Sequence, residues 1–212
     1  MDGVIYDSMP FHVTEWVKCL RQRGVPFTER EVYLNEGRTG RSTIQLAFQT
    51  YLNREATETE IQTIYQQKVD SVQDYPDAPI MPKIADFIRE IQQKGIATWV
   101  VTGSQQPSLL NRLTSVLNIP ASQVVSAKDV QHGKPHPEPY LLALQRSGYQ
   151  ASDCIVIENA PLGVISARAA QITTIAVNTG LLEASDLADA GANTVLPGTQ
   201  ALYEAWSAIS TK

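Results

Sequence analysis

Long apolar runs are missing from this chain: no stretch approaches the roughly 20 residues needed to span a bilayer, and no basic segment leads into an apolar one near Met1. No membrane partner is expected, and the cytoplasm is the expected location. Cysteine is scarce as well. Cys19 and Cys154 are two thiols far apart in sequence, without the paired spacing of a thiolate metal centre, so buried free thiols are expected over a disulfide. Positive charge is in deficit, with 17 Lys and Arg against 22 Asp and Glu and a net charge of −5. That leaves no basic field for a polyanion, and nucleic acid is set aside as a partner. A few local cations could still hold a small phosphorylated metabolite. Repeats and low-complexity tracts are absent. What remains is 43% hydrophobic and 18% charged residues, the balance of a globular protein with a substantial core. A length of 212 residues suits one domain, or a core carrying a smaller insertion.

Residues 10–76 read as helical. Phe11, Val13, Trp16, Val17 and Leu20 form an apolar stripe over 11–23, which Gly24 ends. Thr28 is placed to cap a helix from Glu29, 43–52 forms a third helix, and 57–75 a fourth that stops at Pro76. From Pro82 the pattern changes to helices alternating with short apolar runs, the signature of a parallel α/β sheet. Helices are predicted over 83–94, 107–117, 137–147 and 161–170, with strands over 97–101, 124–126, 154–157, 173–177 and 194–196 and a closing helix after the last. The predicted organisation is an α/β, Rossmann-like core of residues 1–9 and 80–212 carrying an all-helical insertion over 10–79.

Open parallel sheets bind ligands beyond the carboxyl ends of their strands. Four sequences stand near such positions: Asp2-Gly3-Val4, Thr102-Gly103-Ser104, Gly133-Lys134-Pro135-His136-Pro137, and Glu158-Asn159. Singly, each is an ordinary turn, loop or helix cap. Together they bring a hydroxyl, a lysine and an acidic pair to the mouth of one sheet, a set suited to phosphate and metal. A transferring phosphoryl group needs fixed cations and donors on its oxygens. Lys134 offers charge, Thr102 a hydroxyl, and Gly103 and Ser104 backbone N–H groups at the expected opening of a helix. Glu158 and Asn159 offer hard oxygen ligands, as a Mg2+ ion already carrying phosphate requires.

The four motifs in this order resemble those of the haloacid dehalogenase-like superfamily, and most closely its beta-phosphoglucomutase-like branch of phosphatases, pyrophosphatases and phosphomutases. The family's first motif, Asp-x-Asp-Gly-Val, is matched from its second residue by Met1-Asp2-Gly3-Val4. Val100 to Ser104 resembles the second motif, Gly133-Lys134-Pro135 the third, and Val156 to Val164 the fourth. The resemblance implies a Mg2+-dependent phosphatase or phosphotransferase with an aspartyl-phosphate mechanism and a helical cap over 10–79. Asp2 would be general acid and base, with its carbonyl on the metal. Thr102 and Lys134 would hold the phosphoryl group, and Glu158 and Asn159 would bind or orient the metal. The family commonly has aspartate at the second of these places, so Asn159 implies weaker metal affinity without its loss.

In the family pattern the nucleophilic aspartate stands one place ahead of Met1, at the end of a central strand. A start codon assigned too late, a fragment, and a non-catalytic phosphate-binding protein remain open as explanations. The chain as written is expected to turn over negligibly. Substrate choice is expected to rest on Glu36 and Arg38 in the turn Glu36-Gly37-Arg38-Thr39-Gly40. Arg38 suits a distal phosphate. Glu36 would repel a bare phosphate but could ligate Mg2+ bridging two phosphates, which leans towards inorganic pyrophosphate over beta-phosphoglucomutase or sugar-phosphate phosphatase chemistry.

Overall fold

The computed structural model describes residues 1–73, 77–104 and 107–210. Four helices come first: α1 (Met9–Arg21), α2 (Glu29–Leu34), α3 (Gly40–Leu52) and α4 (Glu58–Gln73). Their apolar stripes close on one cluster in which Leu20, Ile44, Phe48 and Ile64 are fully buried. The caps explain where the helices begin. Thr28 and Glu31 form a reciprocal capping box on α2. Thr39 Oγ1 accepts from the Ser42 N–H, so α3 starts at Gly40, three residues ahead of the predicted start. The expected stop of the fourth helix at Tyr75–Pro76 lies outside the described residues.

Segments 5–7 and 79–81 run antiparallel where the chain passes between these helices and the rest. Met81 N–H donates to Ile5 O at 2.8 Å, and Asp7 N–H to Pro79 O at 2.9 Å. The α/β portion then runs through α5 (Ile84–Gln93), β1 (Val100–Val101), α6 (Pro107–Leu117), β2 (Val124–Val125), α7 (Glu138–Ser147) and β3 (Ile155–Glu158). It ends with α8 (Pro161–Ala169), β4 (Thr173–Val177), α9 (Ala184–Asp189), β5 (Thr194–Leu196) and α10 (Thr199–Ser210).

All strand pairs among the named strands are parallel, and each pair is joined by a helical crossover, as parallel pairing requires. They form two groups, β1-β2 and β3-β4-β5. β1 is two residues long where five were predicted, because its ladder partner β2 offers only Val124 and Val125. β2 likewise stops before Ser126. The short helix α9 was not anticipated from sequence; its six residues are too few to show periodicity, although Glu183 and Asp186 form its capping box. A second apolar cluster of Val4, Ile5, Tyr6, Val100 and Leu113, with residues of α5 and α10, fills the space beneath these strands. Both cysteines are free, Cys19 buried and Cys154 only half-buried, against the expectation of two buried thiols. Cys154 lies just ahead of β3, whose first residue Ile155 is exposed. Among the described residues, no helix is long and apolar enough to cross a membrane.

Candidate active site

The carboxyl ends of β1 and β3 open on a cavity of about 680 Å3 whose other wall is made by the turn before α3 and by α1 and α4. Asp2, Glu36, Arg38, Thr102, Gly103, Ser104, Lys134, Glu158 and Asn159 all line it. The two walls approach closely. A Cβ on Gly103 would sit 3.1 Å from Gly37 O, and one on Gly133 would sit 2.9 Å from Thr39 Cγ2.

Glu158 ends β3 and is buried, as is Lys134. Lys134 Nζ donates to Glu158 Oε1 at 2.5 Å and to Val101 O at 3.2 Å. The Tyr140 hydroxyl donates to the same carboxylate oxygen at 2.7 Å. Burial works against the Glu158 charge, but the Lys134 ammonium, the chain's amino terminus and the Tyr140 hydroxyl together outweigh it and hold the carboxyl below its ordinary range. Gly163, two residues into α8, makes room for this carboxylate: a Cβ there would fall 2.1 Å from Glu158 Cδ.

Asn159 links the two walls, its Nδ2 donating to Glu36 Oε2 at 3.0 Å. Gly3, at φ +66°, brings the Asp2 segment against it so closely that a Cβ would lie 2.0 Å from Asn159 Nδ2. Glu36 itself is pushed up to about 8, first by burial and then by the charges of Glu158 and Asp2. Several hard oxygen donors therefore line one cavity with too little positive charge to keep them all ionised. That donor chemistry fits a small divalent cation.

Asp2 has the opposite environment. Burial alone would raise its carboxyl, but the hydrogen bond and charge of His12 and the hydroxyl of Ser8 hold it well below the usual carboxylate range. Ser8 Oγ donates to Asp2 Oδ1 at 2.6 Å, and for that reason leaves the N-cap position of α1 without a side-chain cap. His12 Nε2 lies 3.3 Å from the same oxygen, and Lys68 Nζ lies 3.0 Å from His12 Nδ1.

Ser104, Gly103 and Arg38 line the cavity from irregular segments. Ser104 N–H donates to Thr102 Oγ1 at 3.0 Å, so it is occupied within its own turn. Gly103 and Ser104 are not helical themselves; the described part of α6 begins at Pro107, and residues 105 and 106 lie outside the described residues. Arg38 makes no ion pair among the described residues; its Nε donates to Asn35 Oδ1 at 3.0 Å, and burial lowers its pKa.

His12, Lys68 and Tyr140 were not singled out from sequence. Lys68 carried a signal: Ile61, Ile64, Tyr65 and Lys68 fall at i, i+3, i+4 and i+7, which puts a lysine on the buried stripe of α4. His12 occupies the equivalent place on α1 between Met9 and Trp16. For Tyr140 no local pattern distinguishes a hydroxyl on a buried carboxylate from an ordinary core aromatic.

A family model described as a haloacid dehalogenase-like hydrolase matches residues 1–171. Hexitol phosphatase A of Escherichia coli is 30% identical over 190 residues, covering 84% of this chain and 80% of its own. The fructose-1-phosphate phosphatase of the same organism is 29% identical over 184 residues, with 84% and 93% covered. A solved structure described as "Putative beta-phosphoglucomutase from Bacteroides vulgatus" superposes with a TM-score of 0.94 at 41% identity, over 100% of this chain and 86% of that one.

Proposed function

This chain belongs to the haloacid dehalogenase-like hydrolases, as a phosphatase or phosphotransferase of the beta-phosphoglucomutase-like branch, and we propose that it is a Mg2+-dependent phosphohydrolase whose preferred substrate is inorganic pyrophosphate. The observation that carries the pyrophosphate reading is Glu36, a carboxyl turned into the cavity on Asn159 and raised to about 8 by burial and by the charges of Glu158 and Asp2. A carboxylate at that place opposes a sugar phosphate, whereas metal-bound diphosphate gives it a cation to ligate.

In this reading Asp2, through its backbone carbonyl, and Glu36, Glu158 and Asn159 would hold the magnesium, which would draw negative charge from the phosphoryl oxygens. Lys134 and the Thr102 hydroxyl take the oxygens of the transferring group, adding positive charge and a donor where charge develops. Arg38, free of carboxylates, takes the distal phosphate through its planar guanidinium. Asp2, kept ionised by His12 and Ser8, accepts a proton from the attacking oxygen or returns one to the departing oxygen. Residues 10–79 act as a cap: Gly37, Arg38 and Thr39 close on Gly103, Lys134 and Gly133 and exclude water.

A second reading, a sugar-phosphate phosphatase, is favoured by the relatives named for hexitol and fructose 1-phosphates. The two separate in one experiment, done on the chain together with any residues that precede Met1 in the protein. Phosphate release from pyrophosphate, beta-glucose 1-phosphate and fructose 1-phosphate is compared for wild type and Glu36→Gln. The proposal expects pyrophosphate to be preferred and the variant to lose that preference. Equal loss on all three substrates, or no turnover of pyrophosphate, removes it.

A further inference from the structure

Outside the cavity, the loop that carries Lys134 ends in a second group of ligating side chains. His132 and His136 flank Lys134 by two residues on either side, and Glu138 begins α7. Each of the three offers a ligand atom, and these atoms lie within 4.8 Å of one another. The carboxylate is already oriented. Glu138 Oε1 accepts from Gln131 N–H at 2.7 Å, and Oε2 accepts from His132 N–H at 2.9 Å and from the His132 Nδ1 at 2.8 Å. His132 Nδ1 and Glu138 Oε2 share one proton, and an ion that displaced it would take both atoms as ligands. His136 Nδ1 accepts from the Glu138 N–H at 3.2 Å and lies 3.9 Å from Glu138 Oε2, so it would exchange that one hydrogen bond for the ion. Two ligands on one tetrahedral ion stand about 3.3 Å apart for bonds near 2.0–2.1 Å. The pair is thus within a small rotation of ligation. Both rings are free to make it, their side chains being 63% and 51% exposed, with centroids 4.7 Å apart.

We infer that His132, His136 and Glu138 take up one divalent transition-metal ion of the zinc class, at a site distinct from the magnesium ligands in the cavity. Two imidazoles with one carboxylate are a donor set for zinc and its neighbours, while magnesium prefers oxygen alone. The ion would tie together the two ends of the loop whose middle reaches Glu158 through Lys134.

The test is a calorimetric titration of zinc chloride into the intact protein in magnesium-containing buffer. One zinc site is expected in the wild type. His132→Ala with His136→Ala should remove it, Glu138→Gln, which costs a ligand, should weaken it by more than the roughly 10- to 100-fold of a lost outer-shell partner, and Glu158→Gln, in the cavity, should leave it in place. Because both rings are exposed, the double variant should melt with the wild type in the absence of zinc, and zinc should raise the wild-type midpoint alone. Unchanged zinc uptake in the double variant, or loss of uptake in Glu158→Gln, overturns the site. So does a wild type that takes up no zinc.

Discussion

Replacing Lys134 by Met would leave the Glu158 carboxylate buried without its cation. The two side chains are 6% and 7% exposed, so neither can turn to solvent. Removing one member of such a pair costs about 3–5 kcal/mol, most of it the penalty of the charge left behind. The remaining donors on Glu158, the Tyr140 hydroxyl and the Asn159 N–H, favour the lower end. Against a typical total of roughly 5–15 kcal/mol, the variant should still fold, with a midpoint lower by about 6–20 °C if each kcal/mol shifts a chain of this size about 2–4 °C. Glu158→Gln in the same background should restore much of that loss, because a neutral amide needs no cation. The assay is urea unfolding of both single variants and the double. We expect a coupling energy of about 3 kcal/mol. A K134M cost below about 1 kcal/mol, or E158Q effects that are the same in both backgrounds, would falsify the buried-pair account.

Three further outcomes follow from the same geometry. Glu36 is raised from 4.5 to about 8, so below that pH a metal ligand must first lose a proton; Mg2+ affinity should weaken roughly tenfold per pH unit between neutrality and pH 6, and Glu36→Gln should flatten the slope. The same sign makes the metal-free protein lose Glu36's contribution to stability as pH rises from 4.5 through about 8, measurable as a falling melting midpoint that the variant does not share. Gly163→Ala places a Cβ 2.1 Å from Glu158 Cδ; it should cost about 1–3 kcal/mol and abolish magnesium binding measured by calorimetry, and retention of both would mean the carboxylate tolerates displacement. His12→Ala removes a partner that holds Asp2 low, so the acidic limb of the pH–rate profile should move to higher pH; an unmoved limb would assign it to another group.

The helices were legible because their signals are local. The α1 stripe, the Thr28 cap and the alternation after Pro82 each need only a few neighbouring residues. Strands were less so: 97–101 has the composition of a five-residue strand, yet only Val100 and Val101 find partners, and partners are a non-local property. The site divided in the same way. Thr102, Lys134, Glu158 and Asn159 could be read because they stand near strand ends, where chemistry concentrates. Asp2 could be placed, but not its low pKa, which comes from Ser8 and from His12 one helical turn further on. Glu36 was recognised as awkward beside a phosphate. Its raised pKa depends on burial in the cavity and on Glu158 and Asp2, more than a hundred and about thirty positions away, and no spacing rule joins residues so distant. The Ser104 N–H, offered by the sequence as a donor, is met by the Thr102 hydroxyl two residues back, a contact that spacing alone does not announce.

The central claim is that this cavity binds a phosphoryl group through magnesium, and inorganic phosphate, common to every candidate substrate, tests it most directly. Titrating phosphate into the protein with Mg2+ and then with a chelator should show binding at least tenfold tighter with the metal, and binding lost in Asp2→Asn with Glu158→Gln. Phosphate binding that is equal with and without magnesium, or unchanged in that double variant, would contradict the account.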